Sequence, residues 1–192
     1  MSMIRAFIAI PLPAEIQLKL DRLSKQLKQQ LKNAPVRWVQ VSNIHLTLKF
    51  LGDTPVENLD KIQDALRQVA GRCTSFTISL GDLDAFPNKR RPRVLLVKLQ
   101  APPQLGDLQR DLENALRNLG IPPEERGFTP HLTLGRVSKN ASNAEVQQLG
   151  QMVDSVRVED LGSMDVQAIH LIRSDLHPSG PVYTDLCMVE LL

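Results

Sequence analysis

The apolar residues of this chain follow two periodicities, one typical of helices and one typical of strands. In four segments they recur every three or four residues, which would give a helix one apolar side and one polar side. This spacing predicts helices over Ala14–Leu31, Val56–Val69, Leu105–Leu119 and Ala144–Val153. Shorter apolar or alternating runs between turn residues predict strands over Ile4–Ile10, Val36–Val41, Ile44–Leu51, Ser75–Leu83, Arg93–Leu99, Thr129–Val137, Val156–Leu161, Val166–Ile172 and Val182–Leu191.

The order of these elements favours an α+β fold. Helices and strands are mixed, but several neighbouring strands have connections too short for a crossover helix, so antiparallel pairing is expected. The second half of the chain repeats the ingredients of the first, which predicts two entwined lobes. Because no long polar linker or low-complexity segment interrupts the pattern, residues 1–192 are predicted to form a single bilobal domain.

Composition narrows the class of protein. Of the 192 residues, 42% are hydrophobic and 23% are charged, which is ordinary for a soluble globular protein. No stretch approaches the ~18 apolar residues of a membrane-spanning helix, and Met1–Arg5 does not begin a signal peptide, so no membrane partner is expected. The net charge of +2 is too small for general nucleic-acid coating. Cys73 and Cys187 are predicted to be buried free thiols, and the protein is predicted to be cytoplasmic.

The residues with chemical potential are concentrated in one repeated tetrapeptide. His45-Leu46-Thr47-Leu48 recurs as His131-Leu132-Thr133-Leu134, 86 positions later, in a chain with only four histidines and seven threonines. The repeat indicates an internal duplication. Because side chains alternate along a strand, each histidine shares a face with its threonine, about 7 Å away, while the leucines, and Phe50 after the first motif, lie on the other face.

A histidine and a threonine at this spacing suit phosphoryl chemistry. Histidine titrates near neutrality, so a pair can hold one neutral ring that accepts a proton from water and one cationic ring that protonates the leaving oxygen. The hydroxyls of Thr47 and Thr133 can hold non-bridging phosphate oxygens. Nearby acidic residues such as Asp53 and Glu125 form no ligand cluster, so the scheme uses no metal and no cofactor.

Longer segments around both motifs resemble a known family. Arg37–Val39 followed by His45–Gly52 is similar to the first signature of the bacterial and archaeal RNA 2',3'-cyclic phosphodiesterases, and Phe128–Arg136 is similar to the second. These enzymes, formerly called 2'-5' RNA ligases, belong to the two-histidine phosphoesterase superfamily. Arg5–Ile10 and Phe86–Leu95 also resemble family segments in the same order.

The resemblance implies both a fold and a reaction. The fold would be bilobal, with two pseudo-symmetric antiparallel sheets, outer helices and a central cleft. The reaction would open a terminal RNA 2',3'-cyclic phosphate to a 2'-phosphomonoester, with His45 as proton donor to the 3'-oxygen and His131 as the proton acceptor that activates water. Thr47 and Thr133 would hold the phosphate. Some relatives also run a weak 2'-5' RNA ligation in reverse. RNA with cyclic phosphate ends is therefore the expected partner, and a monomer is expected because a cleft between lobes needs no second chain.

Three further residues are predicted to bind substrate. The resemblance implies that Arg136 is a basic residue near the ligand. Strict alternation places its side chain on the leucine face, away from His131. A bulge at Gly135 would return the side chain to the face of His131. A surface ion pair is the alternative. Lys49 shares the face of His45 by alternation and could help to hold phosphate, unless it is a solvated strand end. Phe128 could stack a nucleobase or belong to the core.

Structural roles are predicted for several other residues that could have a function. Trp38 is predicted to anchor packing, and His170 and His177 are predicted to be structural. The basic run Asn88–Arg93 could steer RNA phosphates or be a solvated hairpin loop. Leu96 stands where relatives often have Trp, which would alter packing or the wall of the cleft.

Two other functions compete with the leading hypothesis. The same chemistry could act on 2'-5' oligonucleotides or small cyclic nucleotides, since loops determine substrate choice. A non-catalytic nucleotide- or RNA-binding module is the third hypothesis. Two proton-transfer groups argue against it, because binding alone does not require them.

Overall fold

Four helices and nine strands lie within residues 2–125, 127–178 and 180–192, the part of the chain that the computed structural model describes. The helices are α1 (Ala14–Gln30), α2 (Leu59–Ala70), α3 (Pro103–Arg117) and α4 (Asn143–Ser155). The strands are β1 (Met3–Pro11), β2 (Val36–Trp38), β3 (His45–Pro55), β4 (Phe76–Phe86), β5 (Val94–Gln100), β6 (His131–Val137), β7 (Ser163–Val166), β8 (Ala168–His177) and β9 (Gly180–Glu190). Short 3₁₀ turns at 41–43 and 56–58 precede β3 and α2.

The helices form where the apolar spacing predicts them, and local signals set their ends. At α4, Ser142 Oγ accepts a hydrogen bond from the Glu145 N–H at 3.3 Å, and Glu145 Oε2 accepts one from the Ser142 N–H at 2.7 Å. This capping box satisfies two otherwise unpaired donors at the helix start. Pro103 opens α3, where its missing N–H costs nothing. The inward residues of α1 are Ile16, Leu20, Leu23, Ser24 and Leu27.

The strands form an antiparallel sheet, which confirms the α+β class. Their order is β7-β4-β5-β6-β3-β1-β8-β9, with β2 pairing on β6 beyond the end of β3. Between β3 and β6 the ladder contains one facing pair, Leu46 with Leu132. The two predicted sheets therefore meet at this pair and are halves of one continuous sheet.

The two halves repeat each other and exchange strands. The succession β1-α1-β3-α2 recurs as β5-α3-β6-α4. The strand after α2 is β4, which pairs with β5, whereas β8, which follows α4 and β7, pairs with β1. Each half of the sheet thus takes an outer strand from the other half of the chain, and the predicted entwining of the lobes is observed.

One face of the sheet packs against the helices, and the other carries a small separate cluster. The main core joins helix residues to strand residues such as Leu46 and Leu132, whose burial contributes about 2 kcal/mol each. The cluster on the opposite face contains Phe7, Ala9 and Ile172, with Tyr183 packed against it. We refer to this second face, which also carries the histidines and threonines of both motifs, as the open face.

One predicted strand is wrong. Residues 156–161 are not in a strand, and the pairing with β4 is made instead by Ser163–Val166. Val156 and Val158 do contact the core, which explains the alternating pattern, but Gly162 has a φ of 82° and redirects the backbone before pairing begins.

The structure also bears on the predicted free thiols and on the prediction that no helix spans a membrane. Cys73 and Cys187 are free thiols, as predicted, although both are half-buried rather than buried. Within the described residues, every helix is too short or too polar to cross a membrane.

Candidate active site

The two repeated motifs, His45–Leu48 and His131–Leu134, lie side by side on adjacent strands. Their second residues, Leu46 and Leu132, face each other in the antiparallel ladder and are 1% and 0% exposed on the helix side. In such a ladder the flanking residues also face each other, so each histidine lies opposite the threonine of the other motif. Strand spacing places the two histidine Cα atoms about 8 Å apart along the diagonal of this square. All four polar side chains therefore surround one space on the open face.

Both histidines are held in the same way. His45 Nδ1 lies 2.9 Å from the carbonyl oxygen of Asn43, and His131 Nδ1 lies 2.8 Å from that of Thr129, two residues upstream in each case. A carbonyl oxygen only accepts, so each Nδ1 carries a proton and donates it. Each Nε2 is therefore the nitrogen left to exchange a proton with a ligand.

The threonine hydroxyls of the motifs are available to a ligand. Thr47 and Thr133 are both half-buried on the open face. Among the described residues, no hydrogen bond engages either hydroxyl. Each can thus donate to an anion placed between the strands.

Aromatic rings surround His45. The Phe7 ring stacks on its imidazole, with centroids 4.6 Å apart, and Tyr183 meets it edge-on at 5.4 Å. Phe7 also contacts Tyr183 at 5.1 Å and Phe50 at 6.3 Å. Ala9, which faces Thr47 from β1, leaves room for these rings because its side chain is a single methyl group.

This packing makes the His45 ring difficult to protonate in the free protein. Burial lowers the pKa of His45 from 6.5 to about 4, although its hydrogen bond to the Asn43 carbonyl partly opposes the shift. At pH 7 the ring is therefore neutral, with an unprotonated Nε2.

His131 has a polar neighbourhood instead. Lys98 faces it from β5 and forms an ion pair with Asp84 at 2.5 Å. Burial is the largest single influence on the pKa of Asp84 and raises it. The hydrogen bonds from Lys98 and the Ala85 N–H, together with the positive charges of Lys98 and Lys89, outweigh burial, so this pKa lies below its ordinary value. Leu96, which faces Thr133, occupies the position equivalent to Ala9. Leu96 thus lies on the wall of the site.

A β-bulge after the first motif changes which side chains reach the open face. The register of β3 with β1 skips Leu48, so Leu48 and Lys49 are both buried, and Phe50 is 58% exposed beside Phe7. Strict alternation assigned Lys49 to the face of His45 and Phe50 to the leucine face. Both assignments are wrong, because the bulge inserts one extra residue.

Lys49 is a structural link rather than a phosphate ligand. Its side chain is 2% exposed, and Nζ donates to Glu113 Oε2 at 3.1 Å and to the Pro122 carbonyl oxygen at 2.7 Å. It therefore ties β3 to α3 and to the segment that leads into the second motif. The substrate-binding role predicted for Lys49 is not compatible with this burial.

The equivalent bulge in the second motif brings Arg136 to the open face. The register of β6 with β5 skips Leu134, so Gly135 is buried and Arg136 is exposed. A Cβ on Gly135 would lie 2.7 Å from Val36 Cγ1, which explains why glycine occupies this position. Burial raises the pKa of Tyr183, and the positive charge of Arg136 opposes this rise. The predicted bulge is confirmed.

Three other predicted features pack against the main core or lie in the loop between β4 and β5. Phe128 is half-buried against the main core, which favours its core reading, and Trp38 packs there as predicted. In the basic loop, Lys89 is paired with Asp154 of α4 at 2.9 Å, while Arg90, Arg91 and Arg93 are at least partly exposed. This loop joins β4 to β5 at the end of the sheet where Arg136 lies.

His170, predicted to be structural, lies on the open face as well. It faces Ala9 from β8, and its Nδ1 hydrogen-bonds to Asp185 Oδ2. Within residues 2–125, 127–178 and 180–192, no group of three or more His, Cys, Asp or Glu side chains is placed to hold a metal ion.

Sequence reasoning missed the aromatic part of the site. Phe7, Phe50 and Tyr183 belong to three strands that are distant in sequence, so periodicity could not bring them together. Their rarity was the only signal, since the chain has five Phe and one Tyr.

Paired histidines and threonines on facing strands of a duplicated antiparallel sheet define a two-histidine phosphoesterase. The family model for LigT-like phosphoesterases matches the chain twice, over residues 10–96 and 97–183. The chain belongs to this family.

Similar curated proteins cover nearly all of the chain. The RNA 2',3'-cyclic phosphodiesterase of Methanothermobacter thermautotrophicus is 36% identical over 188 residues, which cover 98% of this chain and 99% of the relative. That of Archaeoglobus fulgidus is 33% identical over 186 residues, covering 97% and 99%.

Solved structures agree over the same extent. A protein of Thermus thermophilus matches with a TM-score of 0.78 and 29% identity, covering 97% of each chain. Escherichia coli LigT complexed with 3'-AMP matches with a TM-score of 0.75 and 28% identity, covering 99% of each chain. The duplicated fold is thus shared from end to end.

Proposed function

We propose that this protein hydrolyses RNA 2',3'-cyclic phosphate ends to 2'-phosphomonoesters. The observation that carries the proposal is the square of two histidines and two threonines on the open face. Relatives of nearly equal length bear the name RNA 2',3'-cyclic phosphodiesterase. In this proposal the two halves act as one catalytic unit, because each contributes one histidine and one threonine.

The reaction needs one proton acceptor and one proton donor. Water attacks phosphorus and gives a proton to a neutral Nε2, which we assign to His131. The bond from phosphorus to the 3'-oxygen breaks, and that oxygen takes a proton from the other imidazole, which we assign to His45. The products are a 2'-phosphate and a free 3'-hydroxyl, and no metal enters the scheme. Each positioned proton transfer is worth on the order of 10²–10⁴ in rate.

The order of the two histidines rests on family resemblance, and the pKa of His45 bears on it. At about 4, this pKa leaves His45 neutral before substrate binds. As a donor, His45 must gain its proton when the anionic phosphodiester arrives, since a neighbouring negative charge raises the pKa of an imidazole. In the reverse order His45 is the proton acceptor, and its neutral ring in the free protein already has the protonation state that this role requires.

A substrate with sulfur in place of the 3'-oxygen separates the two orders. A thiolate leaves without protonation, so a variant that lacks only the proton donor regains activity on it. With His45 as donor, His45→Ala is rescued by the 3'-thio substrate and His131→Ala is not. Rescue of His131→Ala instead would reverse the assignment.

The remaining polar groups handle the phosphate, and the rings handle the nucleoside. Thr47 and Thr133 donate to non-bridging oxygens as negative charge builds up. Arg136 adds a positive charge on the same face. The stacking surface is formed by Phe50 with Phe7 and Tyr183, in place of Phe128.

The direct test is product identification. RNA ending in a 2',3'-cyclic phosphate is incubated with the protein in EDTA, and accumulation of 2'-phosphate ends is expected. His45→Ala and His131→Ala should each abolish turnover, whereas His177→Ala, which removes an exposed histidine, should not. A 3'-phosphate product, or inactivation by EDTA, contradicts the proposal.

The same site could also act as a weak 2'-5' RNA ligase. In ligation a 5'-hydroxyl attacks the cyclic phosphate in place of water and gives up its proton, and the bond from phosphorus to the 3'-oxygen breaks as in hydrolysis, which leaves a 2'-5' linkage and a free 3'-hydroxyl. Small cyclic nucleotides and 2'-5' oligonucleotides are the competing substrates, and parallel assays on them rank the three. A protein that binds all of them without turnover would instead be the non-catalytic module. We further propose that the protein acts as a monomer in the cytoplasm, which size-exclusion chromatography and cell fractionation test.

A further inference from the structure

Two arginines face each other on the open face, across the β2–β6 pair. Arg37 of β2 lies opposite Arg136 of β6 in the antiparallel register, and both side chains are exposed. The residues on either side of Arg37, Val36 and Trp38, pack against the main core. Alternation along β2 therefore directs Arg37 away from the core, to the face that carries Arg136.

This juxtaposition costs stability in the absence of a counter-ion. Like charges directly opposite each other on neighbouring strands repel, because facing side chains are only about 5 Å apart at Cβ. Among the described residues, neither guanidinium forms an ion pair with a carboxylate. Such a pair is instead suited to an anion that binds between the two forks, since guanidinium groups match phosphate oxygens in geometry.

The pair borders the reaction site, and Arg136 is its nearer member. Arg136 is three residues beyond Thr133 on β6, at most about 10 Å along the strand. Arg37 lies one strand further out, on β2. A phosphate held by Thr133 and a second anion held by Arg37 would therefore be neighbouring groups of one ligand, with Arg136 between them.

We propose that Arg37, together with Arg136, binds the phosphodiester that joins the terminal nucleotide to the rest of an RNA substrate. This inference rests on the proposed hydrolysis of RNA ends and names a residue that selects among its substrates. A mononucleotide 2',3'-cyclic phosphate has no second phosphate, so Arg37 contributes only when the substrate is an oligonucleotide.

The test compares two substrates with one variant. Arg37→Gln should lower kcat/KM about tenfold on an oligoribonucleotide ending in a 2',3'-cyclic phosphate, mainly through KM. On a mononucleotide 2',3'-cyclic phosphate it should stay within about twofold of the unsubstituted protein. Arg72→Gln, which removes an exposed arginine just after α2, is the matched control and should change neither. Equal losses on both substrates, or no loss on either, overturn the proposal.

A binding measurement keeps this inference distinct from the proposed reaction. The affinity for a labelled oligoribonucleotide with a 2'-phosphate end is measured against salt concentration. Loss of one phosphate contact should reduce the logarithmic salt slope by about 0.7 in Arg37→Gln. If the unsubstituted protein binds RNA but does not cleave it, the proposed function is wrong, and the salt slope still tests the role of Arg37. An unchanged slope in Arg37→Gln, or no RNA binding by the unsubstituted protein, overturns the role proposed for Arg37.

Discussion

Phe50 and Arg136 occupy equivalent positions in the two halves of the sheet, each three residues beyond the motif threonine and just past a β-bulge. Their partners on the equivalent strands β1 and β5 are Phe7 and Val94. The duplicated backbone therefore presents an aromatic ring on one side of the histidines and a guanidinium on the other. This difference gives a nearly symmetric site a means of orienting a ligand that has a base at one end and phosphates at the other.

Removal of the exposed ring should weaken substrate binding. Phe50→Ala is expected to raise KM about tenfold or more, because stacking on an aromatic side chain is worth about 1–3 kcal/mol per base. Since Phe50 is 58% exposed, the unfolding free energy should change little. The measurement is steady-state kinetics on a cyclic-phosphate substrate. Leu18→Ala, at a 63% exposed site on α1, is the control. An unchanged KM in Phe50→Ala rules out stacking at this ring.

The buried lysine can be tested through its partner. Lys49→Met should destabilise the protein by roughly 3 kcal/mol, because Glu113, only 12% exposed, loses its ion-pair partner. Urea unfolding of Lys49→Met, Glu113→Gln and the double variant provides the measurement. The double variant should be more stable than the sum of the single losses predicts. Strict additivity would show that the two side chains do not interact.

The glycine at the second bulge should not accept a side chain. Gly135→Ala would place its Cβ 2.7 Å from Val36 Cγ1 and 3.3 Å from Trp38 Cε3, so a loss of about 1–3 kcal/mol is expected. Gly106→Ala on α3 is the matched control, because nothing lies within 4 Å of its added methyl. It should stabilise the helix by up to ~1 kcal/mol. Equal effects of the two substitutions in urea unfolding would contradict the close contact at β2.

The stability of the protein should depend on pH through His45. Above pH 6.5 the ring is neutral in both the folded and the unfolded chain. Between pH 6.5 and about 4 the unfolded chain binds a proton that the folded chain does not, so stability falls as pH falls through this window. The full shift corresponds to roughly 3 kcal/mol.

Thermal or urea unfolding from pH 7 to pH 4 measures this contribution. His45→Gln should flatten the decline, whereas His177→Gln, which removes an exposed histidine, should leave the slope as it is. Parallel curves for His45→Gln and the unsubstituted protein would show that burial does not hold the His45 ring neutral.

The sequence correctly predicts the helices and strands that carry the site. These elements follow from hydrophobic periodicity and side-chain alternation, which depend on residues close together in the sequence. The four helices, the antiparallel pairing and the shared face of each His/Thr pair all follow from such local patterns. Lys49 and Phe50 were misplaced because a bulge adds one residue to a strand, and nothing in the sequence marks Leu48 as that residue. In the second motif, Gly135 next to Arg136 indicated a possible bulge, and the bulge was predicted. Val156–Leu161 shows the opposite failure, in which alternating burial occurs without strand pairing.

The exchange of outer strands between the halves constrains how this protein can be divided. The boundary between the two family repeats, at residues 96 and 97, falls inside β5. A fragment that ends there would carry β4 without most of its partner strand and would lack β8, which borders β1. A single repeat therefore lacks some of the neighbouring strands that surround its histidine in the complete sheet. Mixing the two fragments should restore activity only if they fold together, so the two histidines are brought to one site by a single cooperative folding event.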